Sequence, residues 1–211
     1  MNKRHFNAAL LLVGLVGLAP LALAAPAQVD PLSEDSILRD PQIPVFGNPK
    51  GDITIVEYFD YRCPYCKKVN PDLLKVVQED GHVRLVFKDW PVFGGVSIYA
   101  AKLALAAKFQ NKLFQAHDAL IGAKDKLSEE TVDSLLAGAK IDVQRAKQDL
   151  EKNRAEIDSI LARNNEQAQA FGFQGTPAFI IGHFRVPGAL DAATFKRAIA
   201  EARAAAKKAK P

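Results

Sequence analysis

Of the 211 residues only two are cysteine, and one each is methionine and tryptophan. Two thiols cannot staple a small loop-rich scaffold, and they cannot fill a four-thiolate zinc site. An excess of one charge is lacking too: 28 basic against 24 acidic residues give a net charge of +4. No basic stripe is interleaved with aromatics, so nucleic acid is not the expected partner. No internal repeat is present. Beyond the first 20 residues or so, no apolar run is long enough to span a bilayer, so the mature chain is expected to be soluble. What the chain does hold is a 48% apolar fraction, 25% charged residues and 12 phenylalanines. That composition excludes a disordered chain and supports one domain, or one domain carrying an insertion.

The N-terminus carries an address. Asn2-Lys3-Arg4-His5 is a basic start, an apolar run follows from Phe6 to about Leu18, and Ala22-Leu23-Ala24 puts small residues where a signal peptidase reads. Residues 1–24 are therefore expected to be a cleaved secretory signal, with cleavage after Ala24 or Ala25 and a periplasmic destination. The alternative is an uncleaved membrane anchor, for which the run is shorter than the roughly 20 apolar residues a spanning helix needs. Residues 25–44, rich in proline and acidic side chains, read as an extended lead-in with one helical turn around Ser33–Leu38.

From there the pattern is α/β. Ile53-Thr54-Ile55-Val56-Glu57-Tyr58-Phe59 is β-branched and aromatic on both faces, the mark of a central, doubly covered strand. Cys63 to about Glu79 has helical spacing, with Gly81 just beyond, and Val83 to Phe87 is a second strand. Such a strand–helix–strand unit is expected to be a right-handed parallel crossover. Between Ser97 and Phe171 the chain turns helical throughout, with Ile98, Ala101, Leu105, Phe109, Leu113 and His117 along one helical face. Ser128 reads as an N-cap with Leu127 and Val132 as its hydrophobic staple, and Gly172 as a helix stop. Strands return at Ala178–Ile181 and Phe184–Val186, and Asp191 caps a closing helix. The division expected is 45–96 with 172–211 as one α/β domain, and 97–171 as an all-helical domain inserted into it.

The cysteines form the motif Cys63-Pro64-Tyr65-Cys66 at the start of that first helix. Unpaired N–H groups and the positive end of the helix dipole favour a thiolate at Cys63. Pro64 costs nothing in a first turn. Cys66, three residues on and expected to be less exposed, can close a small ring, so Cys63 should attack and Cys66 should resolve a mixed disulfide. A zinc site, a static disulfide and a two-thiolate copper(I) site are the alternatives. His82, His117 and His183 lack ligand spacing with the pair, whereas copper(I) suits soft thiolates and could coexist with redox exchange. Pro177, at the entrance of the strand Ala178–Ile181, is either a permitted edge residue or part of a cis bond. Glu57 breaks an apolar strand six residues before Cys63, so burial should raise its pKa and let it exchange a proton with Cys66. The other reading pairs Glu57 with Lys88 on the neighbouring strand. His117 is expected in the core; Trp90 and Phe93 either line a peptide groove or pack in the core.

The segments Glu57-Tyr58-Phe59-Asp60-Tyr61-Arg62-Cys63-Pro64-Tyr65-Cys66, Phe87-Lys88-Asp89-Trp90-Pro91 and Gly175-Thr176-Pro177-Ala178-Phe179 resemble the DsbA family of thiol–disulfide oxidoreductases. The likeness runs from about Pro44 to Ala205 and is most similar to the ScsC-like, suppressor-of-copper-sensitivity branch. It implies a thioredoxin fold with an inserted helical domain, a cis Pro177 facing Cys63 and Cys66, and a Thr176 backbone that binds a cysteine-containing peptide. It also implies proton transfer by Glu57, no cofactor beyond the cysteine pair, exported cysteine-containing clients, and a membrane partner that resets the pair. A DsbB-like partner would make the chain an oxidase; a DsbD- or ScsB-like one would make it an isomerase or reductase. Oxidase is favoured, as is a monomer, because about 20 residues ahead of Pro44 are too few for an assembly module. A copper(I)-binding tolerance factor is the competing class; a glutathione transferase would usually lack Cys66. Tyr65 stands where the family's strongest oxidant has histidine, which implies a less oxidising pair.

Overall fold

Strand β2 (Ile53–Phe59) is buried along its whole length, as its two apolar faces require. Around it lie β1 (Val45–Gly47), β3 (Val83–Asp89), β4 (Ala178–Ile181) and β5 (Phe184–Pro187), in a five-stranded sheet of order β1-β3-β2-β4-β5. β3 runs parallel to β2, in register from Ile53 opposite Val83 to Phe59 opposite Asp89. The other three pairings are antiparallel. This computed structural model describes residues 30–209, so the secretory signal expected at 1–24 and the first residues of the lead-in lie outside the described residues.

Eight helices are present among the described residues. α1 (Glu34–Leu38) starts at Ser33, whose hydroxyl accepts from the Ser36 N–H at 3.2 Å. α2 (Pro64–Asp80) joins β2 to β3 and ends at Gly81, whose φ of 69° is the left-handed conformation glycine tolerates. Between β3 and β4 the chain is helical: α3 (Gly95–Ala106), α4 (Leu113–Ile121), α5 (Glu129–Gly138), α6 (Val143–Lys152) and α7 (Arg154–Ala170). α8 (Ala192–Lys208) closes the chain behind the Asp191 cap. The architecture is a thioredoxin fold with a helical insertion.

The helical face drawn from Ile98 to His117 is broken. α3 ends at Ala106, a short 3-10 turn covers Ala107–Gln110, and Asn111 adopts φ 57° before α4 begins. Asparagine enters the left-handed region more readily than other residues with a Cβ, which lets the chain reverse there. α3 is alanine-rich and buried over most of its surface, while Ile98 is 40% exposed. Ser128 does cap α5, in a reciprocal box with Thr131, and Leu127 and Val132 are buried beside it.

Alternation along β2 and β3 sorts the layers. Phe179, opposite Glu57, meets Phe195 of α8 edge-on at 5.1 Å, and Phe59 meets His117 of α4 at 5.0 Å. The other face carries Tyr58 and Lys88, which bond to Gln167 of α7. α2 and α8 therefore cover one face of the sheet, α1 and α7 the other, and the cysteines lie at the C-terminal end of β2.

Candidate active site

Cys63 is the N-cap of α2, with extended backbone angles (φ −71°, ψ 118°). Its sulfur accepts from the Cys66 N–H at 3.5 Å, the bond a serine or aspartate cap would make. Pro64 sits in the first turn, where its missing N–H breaks no helical bond. Both cysteines are free thiols. They do not differ in exposure as expected, since Cys63 is 1% and Cys66 0% accessible. They differ in electrostatics.

The Thr176–Pro177 peptide bond is cis, and the loop before β4 brings Thr176 against the pair although 113 positions separate it from Cys63. The Cys63 thiol donates to the Thr176 carbonyl at 3.2 Å, while the buried Thr176 Oγ1 has no partner. The carbonyl favours the thiol; the hydroxyl is placed to donate once the proton is gone. Donors win. The Cys66 side chain first, then the Thr176 hydroxyl and the N–H groups of Cys66 and Tyr65, outweigh burial and pull Cys63 down to about 6. Burial foremost, then the Cys63 sulfur and the Glu57 charge, push the Cys66 thiol far up. One thiolate is thus available at neutral pH, and it belongs to Cys63.

Glu57 is 2% exposed, and burial, with the Cys63 charge second, raises its pKa from 4.5 to about 8. It does not pair with Lys88. The parallel register puts Phe87 beside Glu57 and Lys88 beside Tyr58, so the two charges point to opposite faces of the sheet. Lys88 is wholly buried and donates to Ser36 O and Gln167 Oε1, both at 2.8 Å.

The structure separates Trp90 from Phe93. Trp90 is buried, its indole N–H bonded to Asn165 Oδ1 at 3.0 Å, whereas Phe93 is 47% exposed and touches the cysteine turn through Arg62, whose Nη1 donates to Phe93 O at 2.6 Å. Tyr65, between the two cysteines, is likewise exposed, as are Val92 and Ile98. His117 is in the core, stacked on Phe87 at 4.0 Å, and burial drops its pKa to about 3. His82 and His183 are exposed in turns.

Two acids near the thiols escaped the sequence reading. Asp60, three residues before Cys63, is 2% exposed and holds the turn together. Asp89, in register with Phe59 and facing Tyr61, is buried with Oδ1 unpartnered, and burial raises it to about 8. The available signal was position: Asp60 directly follows β2 and Asp89 is the last residue of β3, the two strands at whose ends the cysteine turn lies.

A family described as thioredoxin matches residues 39–201. The chain is similar to a thioredoxin-like oxidoreductase of Silicibacter pomeroyi, 38% identical, covering 82% of this chain and 98% of that one with a TM-score of 0.78. It is similar to the thiol–disulfide exchange protein alpha-DsbA2 of Wolbachia pipientis (29% identity, 79% and 90% coverage, TM-score 0.74). The catalytic domain of Proteus mirabilis ScsC is 26% identical, with 81% and 94% coverage and a TM-score of 0.71. Among curated sequences, the Na(+)/H(+) antiporter NhaA 3 of Salinispora tropica is 27% identical over 166 residues, 77% of this chain. Those residues are 25% of the antiporter, so the chain spans about a quarter of that relative's length.

Proposed function

The chain belongs to the thioredoxin family and has the DsbA- and ScsC-like thiol–disulfide oxidoreductase fold, and from that premise we propose that it exchanges disulfides with cysteine-containing exported proteins through Cys63 and Cys66. One observation carries the reading: two adjacent thiols at a helix N-terminus, one lowered to about 6 and the other driven far up. In the oxidising direction a client thiolate attacks Cys63 Sγ of the Cys63–Cys66 disulfide. The S–S bond breaks, and Cys66 leaves with its electron pair and takes a proton from the Glu57 carboxyl. A second client thiolate then attacks the client sulfur of the mixed disulfide and expels the Cys63 thiolate. Two electrons pass from client to pair, and the client gains one disulfide. Reduction of a client disulfide is the reverse, with Cys63 attacking and Cys66 resolving.

Several features support this assignment of roles. The raised Glu57 carboxyl sits where it can return a proton to Cys66. Thr176 O, bonded to Cys63 in the free protein, is an acceptor for the backbone of a bound peptide, beside Pro177. The exposed Tyr65, Val92 and Phe93 give unfolded clients an apolar landing surface. Stabilising the Cys63 thiolate stabilises the dithiol form, which makes the disulfide oxidising and favours oxidation of clients over their reduction. A thiol near 6 lies between thioredoxin (about 7) and DsbA (about 3.5). The potential should accordingly fall between about −270 and −120 mV, resetting by a membrane redox partner being part of the same reading. Export to the periplasm rests on the basic, apolar and small-residue order of residues 1–24.

Trapping tests the assignment. Cys66→Ser incubated with a client disulfide should accumulate a mixed disulfide through Cys63, and Cys63→Ser should accumulate none. Equal trapping by both variants would overturn the assignment of attack to Cys63. A reduced client and a scrambled one, offered in parallel to the unaltered protein, separate oxidase from isomerase.

A further inference from the structure

Asp60 takes no part in the exchange steps above, yet its carboxylate is buried and fully engaged. Oδ1 accepts from the Arg62 N–H at 2.7 Å and from the Ser97 hydroxyl at 2.8 Å, and Oδ2 accepts from the Phe93 N–H at 3.0 Å. Its backbone serves the thiols directly. Asp60 O accepts from the Cys63 N–H at 3.0 Å, and the Asp60 N–H favours the thiolate of Cys66. Two of the three donors to the carboxylate belong to the entrance of the helical insertion. Phe93 leads into Gly94, the N-cap of α3, which adopts φ 88° and offers no side-chain cap. Ser97 lies in the first turn of α3 and is 1% exposed. A carboxylate from the cysteine turn therefore lies at the uncapped entrance of α3, bonded to the Ser97 hydroxyl in its first turn and to the Phe93 N–H just ahead of it, at the positive end of the α3 dipole. Arg62 doubles the tie by donating to Phe93 O at 2.6 Å.

We propose that Asp60 is a positioning residue for the redox pair: it fastens the turn carrying Cys63 and Cys66 to the first turn of α3, so that the helical insertion sets the reactivity of the thiols. The inference rests on the exchange reading above. Bonds to a buried charge are among the stronger ones in a protein, and removing one partner leaves the others without their acceptor or donor. Of the donors that hold the Cys63 thiolate, all but the Thr176 hydroxyl, namely the Cys66 thiol and the N–H groups of Cys66 and Tyr65, lie at the start of α2 directly after this turn. Slack in the turn lengthens those bonds and weakens thiolate stabilisation. A tie between insertion and redox helix recurs one residue after Cys66, where Lys67 Nζ donates to Ala123 O at 2.6 Å.

Charge and position can be told apart. The charged and titratable groups around Cys63 are Cys66 of α2, Glu57 of β2, Asp60 and Arg62 of the turn, and Tyr61 and Asp89 behind it. Neutralising Asp60 removes a like charge and, acting alone, lowers the Cys63 pKa; loosening the turn raises it. Ser97→Ala keeps the charge, touches neither cysteine and removes the one bond from Asp60 into α3 itself, leaving the Phe93 contacts in place. The experiment is a pH titration of thiolate absorbance in the reduced full-length protein, for Ser97→Ala and Asp60→Asn, with thermal melts alongside. Ser97→Ala should raise the apparent pKa of Cys63 by about 0.5 to 1 unit and shift the glutathione equilibrium about 3- to 10-fold toward the disulfide. A titration within about 0.2 units of wild type overturns the proposal, even where the melt shows lost stability. Asp60→Asn should move the pKa the same way; a fall would mean that its charge, not its position, acts on the thiols. Wild-type protein without a thiol titrating below about 8 would defeat the exchange reading itself, a separate result.

Discussion

The two faces of β2 and β3 bury charge in opposite ways. On one, Lys88 donates to Ser36 O and Gln167 Oε1, Tyr58 donates to the same Gln167 oxygen at 3.0 Å, and Gln167 Nε2 donates to Pro31 O at 2.7 Å. That network ties α1 and α7 to the sheet. On the other face, Glu57 and Asp89 are buried acids raised to about 8, and Asp89 Oδ1, Thr176 Oγ1 and His117 Nδ1 have no hydrogen-bond partner. A partnered buried charge fixes structure, and an unpartnered one is held ready to gain or lose a proton. The cysteines lie against the second kind.

The sharpest break of this contrast is Lys88→Ala. It takes one donor from each of two buried acceptors, which keep Tyr58 and Gln167 Nε2 as partners, and leaves a cavity, so denaturant unfolding should show a loss of about 3 kcal/mol. Exchange by the remaining folded protein should stay within about twofold of wild type, because the network does not touch the thiols. A large catalytic loss with little destabilisation would mean that the faces are not independent.

Glu57→Gln strikes the other face. Exchange at pH 7 should slow about tenfold or more, since Cys66 loses its proton donor. Stability should change in a pH-dependent way. The Glu57 pKa is raised in the folded state, so the folded protein is best off below about 4.5 and loses stability as pH climbs through about 8. In the glutamine variant of the reduced protein that decline should be shallower between these limits. Cys63, whose pKa is lowered from 9.0 to about 6, acts in the reverse sense, giving stability present above 9 and lost as pH falls through 6. Comparing the two slopes by denaturant titration across pH measures both groups.

The smallest effect expected is that of Tyr58→Phe, which removes one buried bond to Gln167 and should cost about 1 kcal/mol without altering exchange. A slowed exchange rate would show that strain crosses the sheet.

Much of this was readable in the chain because it is written locally. Strand β2 announces itself through seven residues without a polar face, α2 through Pro64 and Gly81, α5 and α8 through Ser128 and Asp191. The cysteine motif at a helix start is equally local. Long-range register is not. The pairing of Glu57 with Lys88 was plausible from two neighbouring strands and fails because a shift of one residue sends Lys88 to the other face. The break at Asn111 hides inside a run of good helix formers, where only one residue adopts the left-handed conformation. Asp60 resembles any polar turn residue until Phe93 and Ser97, more than 30 positions later, fold back onto it. Thr176 came near Cys63 only through the family resemblance.

The central claim is that Cys63 alone is a thiolate at neutral pH. The pH dependence of alkylation of the reduced protein, with each modified cysteine identified by mass spectrometry, tests it most directly. The account predicts reaction at Cys63 with a midpoint near pH 6 and no reaction at Cys66 over the same range. Equal modification of both cysteines, with a midpoint near the ordinary thiol value of about 8.5, would contradict it.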